Sequence, residues 1–139
     1  MSRVVLALAL AMPIAACAPS VDTLSVHRFS VAAENQFMPL DRTVNDAAVV
    51  SALYDEIRAM PPQSMQVFCP IDFGVRHELS FYVHGDRVLH GVMEMSCYVL
   101  DLGAGDRRQF DDRFPAHLLG ALGLYTRGNE LWPTPIPRP

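Results

Sequence analysis

From Val75 to Val83 the chain alternates as an extended strand does. Val75, Leu79, Phe81 and Val83 fall on one side, Arg76, Glu78, Ser80 and His84 on the other, and His77 interrupts the apolar side. Gly85-Asp86 is a turn signal, since Gly accepts positive φ without steric cost and Asp bonds to its own backbone. A second alternation runs from Val88 to Leu100, with Leu89, Met93, Met95, Cys97 and Val99 on the apolar side and Val88, His90, Glu94 and Ser96 opposite. A strict two-residue turn would put the two apolar sets on opposite faces. The pattern therefore requires either a three-residue loop, Gly85 to Arg87, or a bulge beside the turn.

The hairpin needs a cover, and the chain offers one. After Asn45-Asp46, either of which can accept first-turn N–H groups, AAVVSALYDEIRAM runs to a stop at Pro61-Pro62. Val49, Val50, Leu53, Ile57 and Met60 form its apolar stripe, and Asp55, Glu56 and Arg58 its wet side. Leu24 to Ala33 alternates as a further strand, with Leu24, Val26 and Arg28 on one side. Asn35 to Asp41 reads as a loop around Pro39, plugged by Phe37 and Met38. DLGAGD, from Asp101 to Asp106, is a Gly-rich turn leading to a short returning strand at Arg107 to Phe110. Asp111-Asp112 and Pro115 open a short helix carrying Phe114, Leu118, Leu119 and Leu122, capped by Gly123. The expected fold is α+β: an antiparallel three- to four-stranded sheet packed by one long helix, a short C-terminal helix and one disulfide.

The first residues change the setting. Arg3, an apolar run from Val4 to Met12 and then Ile14-Ala15-Ala16-Cys17 have the order of a bacterial lipoprotein signal, with an apolar core too short to span a bilayer. The expected organisation is a signal peptide over 1–16, a lipidated Cys17 and tether over 17–23, one domain over 24–125, and a Pro-rich tail over 126–139, WPTPIPRP at its end. Export places the two remaining cysteines, Cys69 and Cys97, where thiols oxidise, and they are expected to pair. On a continuous hairpin the two stand several residues out of register, so Cys69 is expected on a segment that bends back at Pro70 and Gly74. The net charge of −4, with scattered Lys and Arg, argues against nucleic acid and against an electrostatic membrane patch. Ala18 is not the Asp that retains many lipoproteins at the inner membrane, which in a two-membrane cell favours the outer membrane; the anchor is expected in the cell membrane or the outer membrane according to the cell type.

Site chemistry is sparse. His84, His90 and Glu94, with Glu78, have the parity to share a face as zinc ligands, yet HxH and HxxxH spacings are absent and a solvated strand face is the expected reading. His77 reads as a half-buried histidine with a satisfied ring. DLGAGD with Arg107-Arg108 fits neither phosphate-loop pattern, and Asp101, Asp106, Asp111 and Asp112 lack EF-hand spacing. No Ser lies in GxSxG, and paired cysteines leave no thiol nucleophile. Trp132, Tyr125 and Leu131 lie outside the expected core as a patch for an envelope partner, unless Trp132 folds back over the sheet.

The segments ALYDEIRAMPP, CPIDFG, HELSFYV, SCYV and FPAHLLGALG, spanning Asn45 to Gly123, resemble a group of small exported or lipid-anchored actinobacterial proteins of unknown function. The resemblance implies a Cys69–Cys97 pair and a turn including Asp72 and Gly74. It carries no activity, and Met95-Ser96 departs from the small residue and Gly expected before the second Cys. The function expected is that of a lipid-anchored envelope protein without catalysis or cofactor, binding a macromolecular partner or playing a structural part. The rival expectations are an inhibitor of an envelope-attacking hydrolase, acting through Asp72 to Arg76, and a small metal-dependent hydrolase using His84 and His90.

Overall fold

The computed structural model describes residues 20–31, 40–64, 69 and 74–124. In chain order these form β1 (Thr23–Ser30), β2 (Asp41–Val44), α1 (Ala47–Ala59), β3 (Val75–Val83), β4 (Asp86–Glu94), β5 (Val99–Asp101), β6 (Arg107–Gln109) and α2 (Arg113–Ala121). The strands make one antiparallel sheet in the order β2-β1-β3-β4-β5-β6. Six strands replace the three or four expected, and the expectations for residues 1–19, 32–39, 65–68, 70–73 and 125–139 lie outside the described residues. Thr23 already belongs to β1 and Val21 is buried, so the chain enters the fold earlier than the 17–23 tether allowed.

The hairpin between β3 and β4 resolves the parity problem by the bulge. Its two-residue turn is His84-Gly85, both at positive φ (50° and 90°), between the paired Val83 and Asp86. That is the backbone of a type I′ turn, whose twist matches that of the flanking strands. The register then shifts: Tyr82 pairs with Arg87 but Phe81 with Leu89, leaving Val88 as the extra residue. The three-residue loop is thus excluded, and Asp86 and Arg87 belong to β4. With the shift, His77, Leu79 and Phe81 share a buried face with Met93.

The expectation of one strand from Val88 to Leu100 is corrected. After Glu94 the chain makes a 3-10 turn, Met95–Cys97, and Tyr98 takes the left-handed conformation (φ 54°). This reverses direction, so Val99–Asp101 returns beside β4 with Met93 opposite Leu100. A short helical turn can bury residues i and i+2, here Met95 and Cys97, and so imitate a strand's alternation. The β5–β6 loop closes through Leu102 N–H to Asp106 O and Asp106 N–H to Gly103 O, while the Asp101 carboxylate accepts from Gly103 N–H. DLGAGD is therefore a turn, as expected. β2 had no advance signal: only its last residue, Val44, is buried.

Both helices lie on one face. Asp46 caps α1 by accepting from the N–H groups of Ala48 and Val49, and Val50, Leu53 and Ile57 pack into a core with Leu24, Val26, Leu79, Phe81 and Met93. Phe114 and Leu118 of α2 join the same core, and Gly123 (φ 67°) ends that helix with Leu124 N–H reaching back to Leu119 O. Pro61 to Gln63 runs along the outer edge of β6, bonding Gln63 N–H to Arg107 O and Gln109 N–H to Pro61 O, which closes that edge to further pairing. The disulfide links Cys69 to Cys97 in the 3-10 turn, with Cα atoms 4.8 Å apart. Immediately before β3, Gly74 has a φ of 75° and its carbonyl accepts from Val31 N–H, while Pro70, the other residue of the expected bend, lies outside the described residues.

Candidate functional site

The face of the sheet turned away from the helices carries most of the polar side chains that the sequence singled out. Register sets them in rows across the strands. One row runs Asp41, His27, Glu78, Val92, Asp101, Arg107; the next runs Phe29, Arg76, Glu94, Val99, Gln109; Thr43, Ser25, Ser80 and His90 form a third. Opposite charges meet along the rows and diagonally between them. His90 Nε2 lies 2.9 Å from Glu78 Oε1, His27 pairs with Asp41, and Glu94 lies 3.5 Å from both Arg76 and Arg107. Glu78 and His90 are each about two-fifths exposed, so water reaches that pair and it is worth little to stability, whereas Arg76 and Glu94 are mostly covered.

The zinc candidates are not brought together. His90 and Glu94 share the outward face, but Glu94 sits between two arginines, which occupy the carboxylate and repel a cation. His84 is in the turn, where its N–H donates to Asp22 Oδ2 at 2.7 Å and its ring Nδ1 stands 3.3 Å from the same oxygen. That donation is the main cause holding the Asp22 carboxyl below its ordinary pKa. Among the described residues no three His, Cys, Asp or Glu side chains converge on one point.

A second polar group lies on the buried face, at the opposite end from the turn. Arg28 and His77 are paired in register and both are buried, with Arg28 Nε donating to His77 Nε2 at 3.2 Å. The bond places the ring proton on Nδ1, which finds no hydrogen-bond partner among the described residues. Burial, and secondarily the neighbouring Arg28 charge, push the His77 pKa down to about 3, so the ring is neutral. The sequence signal for His77 was its place on the apolar side. The same signal was available for Arg28, which follows Leu24 and Val26 in parity.

Among the shallow clefts of the described residues, three stand out. One, about 180 Å³, lies between the end of α1 and the start of α2, with Glu56, Gln109 and Arg113 at its rim over Met60, Phe110 and Phe114. Another, about 380 Å³, lies beside the β5–β6 loop between Gln63 and Arg107. The third, about 470 Å³, opens where the described chain begins, between Ser20, Tyr54, Arg58, Val83 and Val88. The outward face itself offers hydrogen-bond donors, acceptors and both signs of charge on a rigid ladder, which is the chemistry of recognition. Two His–carboxylate pairs on it, Glu78–His90 and His27–Asp41, can pass a proton, and Ser80 lies opposite His90 in register but is buried. Asp72, Trp132, Tyr125, Leu131 and Cys17 lie outside the described residues. No protein-family model, curated protein or solved structure matches this chain.

Proposed function

We propose that the chain is a lipid-anchored cell-envelope protein and that its domain is a non-catalytic binding module. The observation that carries the reading is the Cys69–Cys97 disulfide, because such a bond persists in an oxidising compartment and agrees with the lipoprotein signal ending at Cys17. The alternating charges of the outward face, from His27 and Asp41 through Glu78, His90 and Arg76 to Glu94 and Arg107, support recognition of a folded envelope protein with its own mixed-charge surface.

Intact mass spectrometry of protein extracted from native membranes tests the anchor. The expected species begins at Cys17, carries diacylglyceryl on its sulfur, and is lighter by two hydrogens for the disulfide. An unprocessed Met1 terminus, or free Cys69 and Cys97 thiols, would sink the reading. Crosslinking from the same membranes tests recognition: an Arg76→Glu, Arg107→Glu chain should lose the partner that the parent captures. A second reading, a small hydrolase, has the Glu78–His90 pair in its favour. Turnover in a hydrolase screen that disappears in His90→Ala would establish it, and zinc bound one to one would make it a metal enzyme.

A further inference from the structure

We infer that the end of the domain bearing the His84-Gly85 turn is its membrane-docking surface, with Tyr54, Arg58 and Val88 seated in the lipid headgroup layer. The inference rests on the proposed anchor at Cys17. Only Ala18 and Pro19 separate Cys17 from Ser20, where the described chain begins, and the three residue steps from Cys17 to Ser20 span at most about 11 Å. Val21 is already buried, its carbonyl accepts from Ser51 Oγ, and Asp22 N–H donates to Tyr82 O, so the start of the fold cannot peel away to lengthen the tether. A lipid on Cys17 therefore holds this end of the sheet against the bilayer, with the opposite end of the nine-residue β3 roughly 26 Å further out.

The side chains at this end suit that position. The cleft of about 470 Å³ opens beside Ser20 and is lined by Tyr54, Arg58, Val83 and Val88. Val88 is 45 % exposed, one of the few large apolar side chains so open among the described residues, and it is the bulged residue that the register shift leaves without a cross-strand partner. Arg58 lies over the Tyr54 ring at 5.8 Å, a pair with apolar bodies and polar tips of the kind found at membrane interfaces. Arg58, Arg87 and His84 are matched by Asp22, Asp55 and Asp86 on the same end, so contact comes from the tether and apolar insertion, with no call for anionic lipid.

The test is hydroxyl-radical footprinting of full-length lipidated protein in phosphatidylethanolamine–phosphatidylglycerol vesicles, with the Cys17→Ser chain in buffer as reference. Tyr98 (37 % exposed) and Val31 (59 % exposed) at the far end serve as internal controls. Labelling of Val88 and Tyr54 should fall severalfold on the vesicle while Tyr98 and Val31 stay unchanged. A lipidated chain whose Val88 and Tyr54 label as freely as the reference, or whose far end is protected equally, overturns the docking alone. A mass showing no lipid on Cys17 removes the anchor and the docking with it.

Discussion

The two ends of the sheet are held by different physics. At the far end the restraints are covalent or buried: the Cys69–Cys97 bond, exposed at Cys69 and buried at Cys97, a 3-10 turn with Met95 and Cys97 inside, and a buried arginine hydrogen-bonded to a neutral histidine. At the end carrying the His84-Gly85 turn they are exposed: two residues at positive φ and one aspartate reaching across from the start of β1. Covalent closure and burial act through large terms, because loop entropy is removed from the unfolded chain and desolvation raises the penalty for any wrong charge. A solvated turn acts through small ones. Under the proposed anchor, the turn end would face the membrane and the disulfide end would project outward.

The largest break in that contrast is removal of the disulfide. Its separation of 28 residues gives about 3.6 kcal/mol from loop entropy, a large share of the stability of a domain this size. Cys69→Ala with Cys97→Ala should lower the unfolding free energy by about 3 to 4 kcal/mol in urea titrations. A loss below about 1 kcal/mol would mean that burial alone braces the far end.

Next comes pH. The His77 ring has a folded pKa of about 3 against 6.5 when free, so the folded state binds fewer protons between those values. Its contribution is complete above about pH 6.5 and declines as pH falls, by about 1.4 kcal/mol per unit once well below that value. Urea unfolding from pH 7 to pH 5 should show this slope, and His77→Gln, which keeps an acceptor for Arg28 Nε, should flatten it. An unchanged slope in the variant would assign the acid sensitivity elsewhere.

Midway between the ends, Gly91 tests how tightly β4 is packed. A Cβ there would lie 2.9 Å from a methyl of Leu102 and 3.0 Å from one of Leu100. Both are ends of flexible side chains, so Gly91→Ala should cost about 1 kcal/mol net of its backbone gain, read as a fall of a few degrees in Tm. A rise in Tm would show that the leucines move aside freely.

How much of this was legible depended on whether a residue's neighbours in sequence were also its neighbours in space. α1, with Asp46 before it and Pro61 after it, was readable because its cap, stripe and stop are all local. The hairpin parity forced a choice between loop and bulge, and the register shows the bulge. The reversal at Tyr98 was hidden, since a 3-10 turn with Met95 and Cys97 inside copies the alternation of a strand. β2 was hidden because its four residues pair only with β1 and bury a single side chain. On the outward face, Arg76, Glu78, His90 and Glu94 could be placed by parity, but which of them meet, and that Arg107 joins them, follows from register, which no local pattern carries.

The smallest expected effect is at the soft end, and it is local. Asp22 Oδ2 accepts from His84 N–H, and that bond, more than any other cause, keeps the carboxyl below its ordinary 3.8. A depressed carboxyl pKa stabilises above the free value and ceases to do so as pH falls through the folded one, so the clasp is complete at neutral pH and opens in acid. Asp22→Ala should leave the urea midpoint nearly where it was, because turn residues at positive φ are held by the whole hairpin register and the aspartate is solvated. Hydrogen exchange should nevertheless accelerate at the His84 amide while the ladder amides of β3 and β4 keep their rates. Acceleration that spread through both strands would show that the clasp, and with it this end of the sheet, is as deeply coupled to the fold as the disulfide end.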